Sequence, residues 1–97
     1  MKYGIMFFGS DAGDSHNRYD TLIDVAKFAD ANGFACIWTP ERHFDPFGGS
    51  FPNPSLTSAA LAMVTKRIQL RAGSLVSPLH DVVRIAEEWA VVDNLSK

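Results

Sequence analysis

The densest chemistry in the sequence is the run Trp38-Thr39-Pro40-Glu41-Arg42-His43-Phe44-Asp45-Pro46-Phe47-Gly48-Gly49. A carboxylate, a guanidinium and an imidazole stand together among aromatic residues, just beyond an apolar segment. Such a setting shifts pKa values and can hold an anion or a polarised oxygen. An ordinary surface loop with an Arg–Asp pair is the competing reading. A second run, Leu70-Arg71-Ala72-Gly73-Ser74-Leu75-Val76-Ser77-Pro78-Leu79-His80, puts small residues at the end of a predicted strand. Small residues there let a flat ligand approach the backbone, or let a neighbouring strand pack closely. A third run, Phe8-Gly9-Ser10-Asp11-Ala12-Gly13-Asp14-Ser15-His16, is polar and reads as a solvated loop at its tip.

His16, His43 and His80 each follow a different apolar run, so all three could meet at one mouth. No HExxH or other paired spacing supports a metal site there. Cys36 lies inside an apolar run and no GxSxG elbow occurs, which disfavours a nucleophilic triad. As the single cysteine it can form no intrachain disulfide, and it reads as a packing residue in a reducing compartment.

Three segments must position these groups. Tyr3 to Phe8, Ala35 to Trp38 and Gln69 to Val76 read as buried strands; the first two lack in–out alternation, as parallel strands covered on both faces do. Between and after them, helices are predicted from about Asp20 to Asn32, Pro54 to Lys66 and Asp81 to Leu95. In the first, Leu22, Val25, Ala26 and Ala29 share a face, Asn17 or Asp20 is the expected cap, and Gly33 is placed to end it. In the second, Leu56, Ala59, Ala60, Met63 and Val64 are the apolar positions, and Pro54 suits the first turn. In the third, Val82, Ile85, Ala86, Trp89 and Val92 form the stripe, with Arg84, Glu87 and Glu88 outside it.

The order β-α-β-α-β-α, with strands starting near residues 3, 34 and 68, predicts an α/β fold with a parallel sheet and right-handed crossovers. The βα loops are long and carry the chemistry; the αβ connections are short. Function at the C-terminal ends of parallel strands holds for barrels and doubly wound sheets alike. No GxGxxG or GxxxxGK[ST] argues for a nucleotide-binding sheet. The 97 residues suffice for one small domain, 46% are hydrophobic, and the net charge is −2. That balance gives no footprint for nucleic acid or an anionic membrane. No targeting segment or membrane-length apolar run is seen, and the chain reads as cytoplasmic.

The runs Trp38 to Phe44, Gly48-Gly49, Pro52-Asn53-Pro54 and Ser77 to Trp89, with the closing Asp93-Asn94-Leu95-Ser96, together resemble the luciferase-like flavin monooxygenases. The likeness is greatest to the monooxygenase domains of natural-product assembly-line synthases. It implies the first three units of a (βα)₈ TIM barrel, with residues 1–97 a single partial, truncated domain, since a complete barrel takes ~250 residues. Three strands cannot close a barrel, so exposed strand edges and an uncovered helix face are expected, with association into an oligomer or with a partner chain.

The resemblance also implies reduced FMN, delivered by a separate flavin reductase, and oxygenation of a small-molecule or carrier-bound substrate by O₂. Glu41, Arg42 and His43 take the catalytic positions, and Phe8, Ala72, Gly73 and Ser74 border the flavin. Gly73-Ser74 matches a place where relatives often carry a cis peptide. Many relatives have His in place of Arg42; Arg42 cannot act as a base, which argues against a light-emitting reaction. The chain alone is expected to be poorly active. The alternatives are the deazaflavin F420 as cofactor in the same fold, and a non-catalytic half-barrel unit.

Overall fold

A computed structural model describes residues 1–7, 19–44 and 51–97. The elements follow as β1 (Gly4–Met6), α1 (Asp20–Ala31), β2 (Cys36–Thr39), α2 (Pro54–Ala62), β3 (Gln69–Ala72), a 3₁₀ turn (Ser77–Leu79) and α3 (Val82–Ser96). The strands form one parallel sheet in the order β1-β2-β3. The predicted βαβαβα order is therefore observed. Gly4 pairs with Cys36 and Met6 with Trp38, while Cys36 pairs with Gln69 and Thr39 with Ala72. This register brings the ends of β2 and β3 level with each other.

Burial separates the strands. In β2, Cys36, Ile37 and Thr39 are buried and Trp38 half-buried, as a central strand covered on both faces requires. The edge strands correct the expectation. In β1 only Ile5 is even half-buried, and β3 alternates, with Gln69 and Arg71 exposed. Among the described residues each pairs on one side only. β3 also ends at Ala72, short of the predicted Val76, because the chain turns away after the Gly73 N–H donates to the Thr39 carbonyl at 2.7 Å.

The core joins Leu22, Ala26 and Ala29 of α1 to Ile37, Phe51, Leu61 and Ile68. Leu22, Ala26 and Ala29 lie four and three residues apart, on one helical face. Tyr19, not Asn17 or Asp20, occupies the cap position of α1, and it makes no side-chain cap bond. Asn17 lies outside the described residues. Gly33, at φ +78°, ends the helix as expected: the Phe34 N–H reaches back to the Ala29 carbonyl, a bond that needs a left-handed residue between.

Helix α2 begins as predicted, with Pro54 in its first turn and Asn53 accepting from the Ser55 N–H at 3.0 Å. Its buried face differs: Ser55, Ser58, Leu61 and Ala62 are buried, while Leu56 and Met63 are exposed. It also stops at Ala62, ahead of Lys66. The Asp30 carboxylate explains the stop, because it accepts from three successive backbone N–H groups, those of Lys66, Arg67 and Ile68, at 2.8–3.0 Å. Those amides are turned toward α1 and cannot continue α2. Partial burial pushes the Asp30 pKa up, but the N–H donors and the Arg67 charge outweigh it and hold the carboxyl below its ordinary value. Asp30→Ala is expected to cost about 1–2 kcal/mol, allowing for solvent at this rim site, and to speed amide exchange at residues 66–68. Unchanged exchange there would rule out the clamp.

Helix α3 is capped by Asp81, which accepts from the Val83 N–H at 2.8 Å. Of its predicted stripe only Val92 is buried, while Ile85 and Trp89 are half-buried and Val82 is exposed. Glu88, expected outside the stripe, turns inward and accepts from the Ser55 hydroxyl at 2.8 Å, tying α3 to α2. An uncovered apolar face on α3, as expected, is present. A cleft of about 460 Å³ runs along β3 and α3, lined by Arg71, Trp89 and Val92 among others. An apolar groove of about 240 Å³ separates α1 from α2. Among the described residues no helix is long and apolar enough to cross a membrane.

Candidate active site

The chemistry collects where β2 and β3 end. Thr39, the last residue of β2, is buried, and its hydroxyl accepts from that of Thr57 at 3.1 Å, fixing the strand end to α2. Pro40 follows, buried, and Glu41 comes next with a side chain wholly removed from water. Its Oε2 lies 2.8 Å from His43 Nε2. Its Oε1 lies 2.8 Å from His80 Nε2 and accepts from the Val76 N–H at 2.9 Å. One carboxylate thus joins the loop after β2 to the segment between β3 and α3.

Burial pushes the Glu41 pKa up, but the hydrogen bonds from His43, Val76 and His80 together overcome it and hold the carboxyl below its ordinary value. Glu41 is therefore ionised at neutral pH and can only accept. Both imidazoles must then carry hydrogen on Nε2, which leaves each neutral ring with an acceptor lone pair on Nδ1. The His43 side chain is 33% exposed and that of His80 16%, so His43 is the more accessible of the two. Arg42, next in the chain, is exposed, and its N–H donates to the Phe51 carbonyl at 3.0 Å. Phe44 is fully exposed at φ +55°, a conformation that costs a side-chain-bearing residue on the order of 1 kcal/mol.

The predicted flavin-border residues fare unevenly. Ala72 is half-buried at the strand end and Ser74 is exposed. A Cβ on Gly73 would lie 3.0 Å from Trp38 Cβ and 3.5 Å from the Thr39 carbonyl oxygen, so close packing on β2 already accounts for glycine there. The Gly73–Ser74 peptide bond is not cis. Phe8, His16, Gly48 and Gly49 lie outside the described residues.

His80 is the member that the predicted trio Glu41, Arg42 and His43 leaves out. Its signal was its place after the third strand, level with His43 after the second. Among the described residues no group of three His, Cys, Asp or Glu is arranged to hold a metal ion. Neither cleft is lined by Glu41, His43 or His80. What the arrangement can do is accept or return a proton at imidazole Nδ1 and steady negative charge at Arg42.

The sequence profile of the luciferase-like monooxygenases matches residues 1–97. The oxygenase component of a flavin-dependent trigonelline monooxygenase from Acinetobacter baylyi is 37% identical over 87 residues, which are 90% of this chain and 24% of that protein. The alkanal monooxygenase alpha chain of Photorhabdus luminescens is 32% identical over 78% of this chain and 21% of its own length. The chain thus spans about a quarter of the length of these curated relatives. Among solved structures, monooxygenase RslO1 from Streptomyces bottropensis superposes with a TM-score of 0.90 at 29% identity, over 99% of this chain and 30% of that one. The oxygenating constituent of 3,6-diketocamphane monooxygenase from Pseudomonas putida, solved with FMN, gives 0.87 at 22% identity over 99% and 27%, a likeness of fold alone.

Proposed function

Because the chain belongs to the luciferase-like monooxygenase family, we propose that it supplies the proton-handling side of an FMN-dependent oxygenase site whose reduced flavin comes from a separate reductase. One observation carries this reading: a buried, ionised Glu41 fixes His43 and His80 at the C-terminal ends of β2 and β3. Parallel α/β folds place their reactions at that end. A reductase partner is supported by the trigonelline relative, which is an oxygenase component.

The residues at the strand ends suit a flavin ring. Ala72 and Ser74 offer small side chains at the end of β3, and imidazole Nδ1 acceptors follow in the same loops. Bound there, reduced flavin would supply the electrons for oxygen activation. His43 would take or return a proton at Nδ1, with Glu41 holding the ring in place. Arg42 would hold a negative group, on the substrate or developing during reaction. A carrier-bound substrate is the narrower reading, supported by the Glu41-Arg42-His43 version of the motif and Gly48-Gly49.

Anaerobic titration with reduced FMN, followed by O₂ uptake in the presence of a flavin reductase, tests the proposal. Saturable micromolar binding is expected; turnover by the chain itself should be low, and His43→Ala should lower whatever turnover is measured about 100-fold or more while leaving flavin affinity within a few-fold. Binding of F420 in preference to FMN would move the reading to hydride transfer. A second reading, association with another copy or a partner chain, is favoured by the open edge of β3 and the exposed Val82, Val83 and Val91 of α3. Mass measured in solution decides it.

A further inference from the structure

Glu41 has two carboxylate oxygens and, among the described residues, three donors, which come from two separate segments. His43 serves Oε2; His80 and the Val76 N–H serve Oε1. The side chain has no access to water, so protein groups alone compensate its charge. A carboxylate that loses a donor in such a place takes up a proton more readily. A protonated Glu41 could donate to His43 Nε2, and His43 would then have to carry its own hydrogen on Nδ1. The accepting atom at the mouth would be lost without any residue at the mouth having changed.

We propose that His80 is a positioning residue: by donating from Nε2 to Glu41 it keeps that carboxylate an acceptor, which holds His43 in the Nε2–H form and leaves His43 Nδ1 as the proton-accepting atom. This goes beyond the trio Glu41, Arg42 and His43, and rests on the proposed function only in placing His43 at the reacting end. His80 suits the part. Its side chain is 16% exposed against 33% for His43, and it sits between the Ser77–Leu79 turn, whose Ser77 carbonyl accepts from the His80 N–H at 3.0 Å, and the Asp81 cap of α3. Its backbone is therefore held from both sides. Among the described residues, the titratable or charged groups on the segments that meet at Glu41 are Arg42 and His43 on its own loop, Arg71 on β3, His80 and Asp81, and Arg84, Glu87, Glu88 and Asp93 on α3, of which Arg84, Glu87 and Asp93 are exposed. Arg71 lies over the Trp38 ring at 5.1 Å, Asp81 accepts from the Val83 N–H, and Glu88 accepts from Ser55.

The test needs no flavin. In the ¹⁵N-labelled chain, long-range proton–nitrogen spectra report which imidazole nitrogen carries hydrogen. At a pH where the ring is neutral, His43 should favour Nε2–H by at least about ten to one, a margin of about 1.4 kcal/mol. His80→Gln keeps an amide N–H near the Nε2 position and should leave the His43 pattern as in the parent. His80→Phe removes the donor and should turn His43 into a mixture of tautomers. If His80→Phe does not fold, His80→Asn replaces it, because its amide ends short of Glu41. Loss of stability in the donor-free variant with an unaltered His43 pattern would reduce His80 to a structural residue and overturn the proposal. So would a parent chain whose His43 carries hydrogen on Nδ1. Absence of saturable FMN binding would count against the proposed function and leave the tautomer result standing.

Discussion

Glu41→Ala should destabilise the folded chain by about 3 kcal/mol, read as a fall in the denaturant midpoint at neutral pH. The residue is not a surface charge: its side chain is entirely out of water and, among the described residues, receives three hydrogen bonds. Alanine leaves the Val76 N–H and the His80 Nε2–H unpartnered in a half-buried setting, while His43 can turn to solvent. For a chain of this size that loss is a large part of a stability of about 5–15 kcal/mol. Acid reveals the same bond set. The Glu41 pKa lies below its ordinary value of 4.5 in the folded chain, so its contribution is complete above that pH and is lost as pH falls through the folded-state value. Glu41→Gln keeps the shape but turns an amide N–H toward one of the donors. Its stability should be lower at neutral pH, and the gap to the parent should narrow as the solution is acidified. A constant gap across the acid range would mean that the charge of Glu41 does not stabilise the fold.

The elements were legible in the sequence because each carried its own local cue. Leu22, Ala26 and Ala29 repeat on one face, Gly33 sits where the helix must turn, and Pro54 suits a first helical turn. The apolar run Ala35 to Trp38 lacks in–out alternation, as a strand covered on both faces does, and the burial of β2 on both faces agrees with it. The errors arose where a tertiary partner decided the outcome. Ser55 and Ser58 face inward on α2 because small side chains let the helix pack closely, whereas hydropathy had favoured Leu56 and Met63. The Asp30 clamp, thirty-six residues from the first amide it binds, ends α2 early and leaves no mark in any local window. At the site, the Glu41-Arg42-His43 cluster stood out because its residues are adjacent. The His80 link joins positions thirty-nine residues apart and needs the register of β2 and β3 to become visible.

That register explains why a carboxylate makes a suitable joint. Thr39 and Ala72 are paired, so the two loops leave the sheet side by side. The Gly73 N–H to Thr39 carbonyl bond holds them together for one more residue before they separate. Beyond it no ladder can operate, and a side chain must carry the connection. A carboxylate can accept from both sides at once. Histidines on the two loops, rather than lysines, give each donor a second nitrogen that stays available.

Phe51→Ala should cost about 3–4 kcal/mol, the range for emptying a large aromatic position in a packed interior. Phe51 is 1% exposed and meets the edges of Phe7 and Tyr19 at ring-centre distances of 5.5 and 5.8 Å. It joins the end of β1 to the start of α1 and to the core residues Leu22 and Ile37. Its carbonyl also accepts from the Arg42 N–H, so the residue that fills the core also tethers the loop bearing Arg42 and His43. The side chain fixes the backbone, and the backbone fixes the loop. Phe51→Leu, which keeps most of the apolar volume, should recover more than half of the lost stability and most of the tether. Hydrogen exchange at the Arg42 amide separates the two roles. In Phe51→Ala that amide should exchange at least about tenfold faster than in the parent, beyond what the global loss of stability predicts for amides in the middle of β2. If the Arg42 amide slows and speeds only in step with Ile37, the core and the site loop are coupled through global unfolding alone, and Phe51 has no separate part in holding the loop.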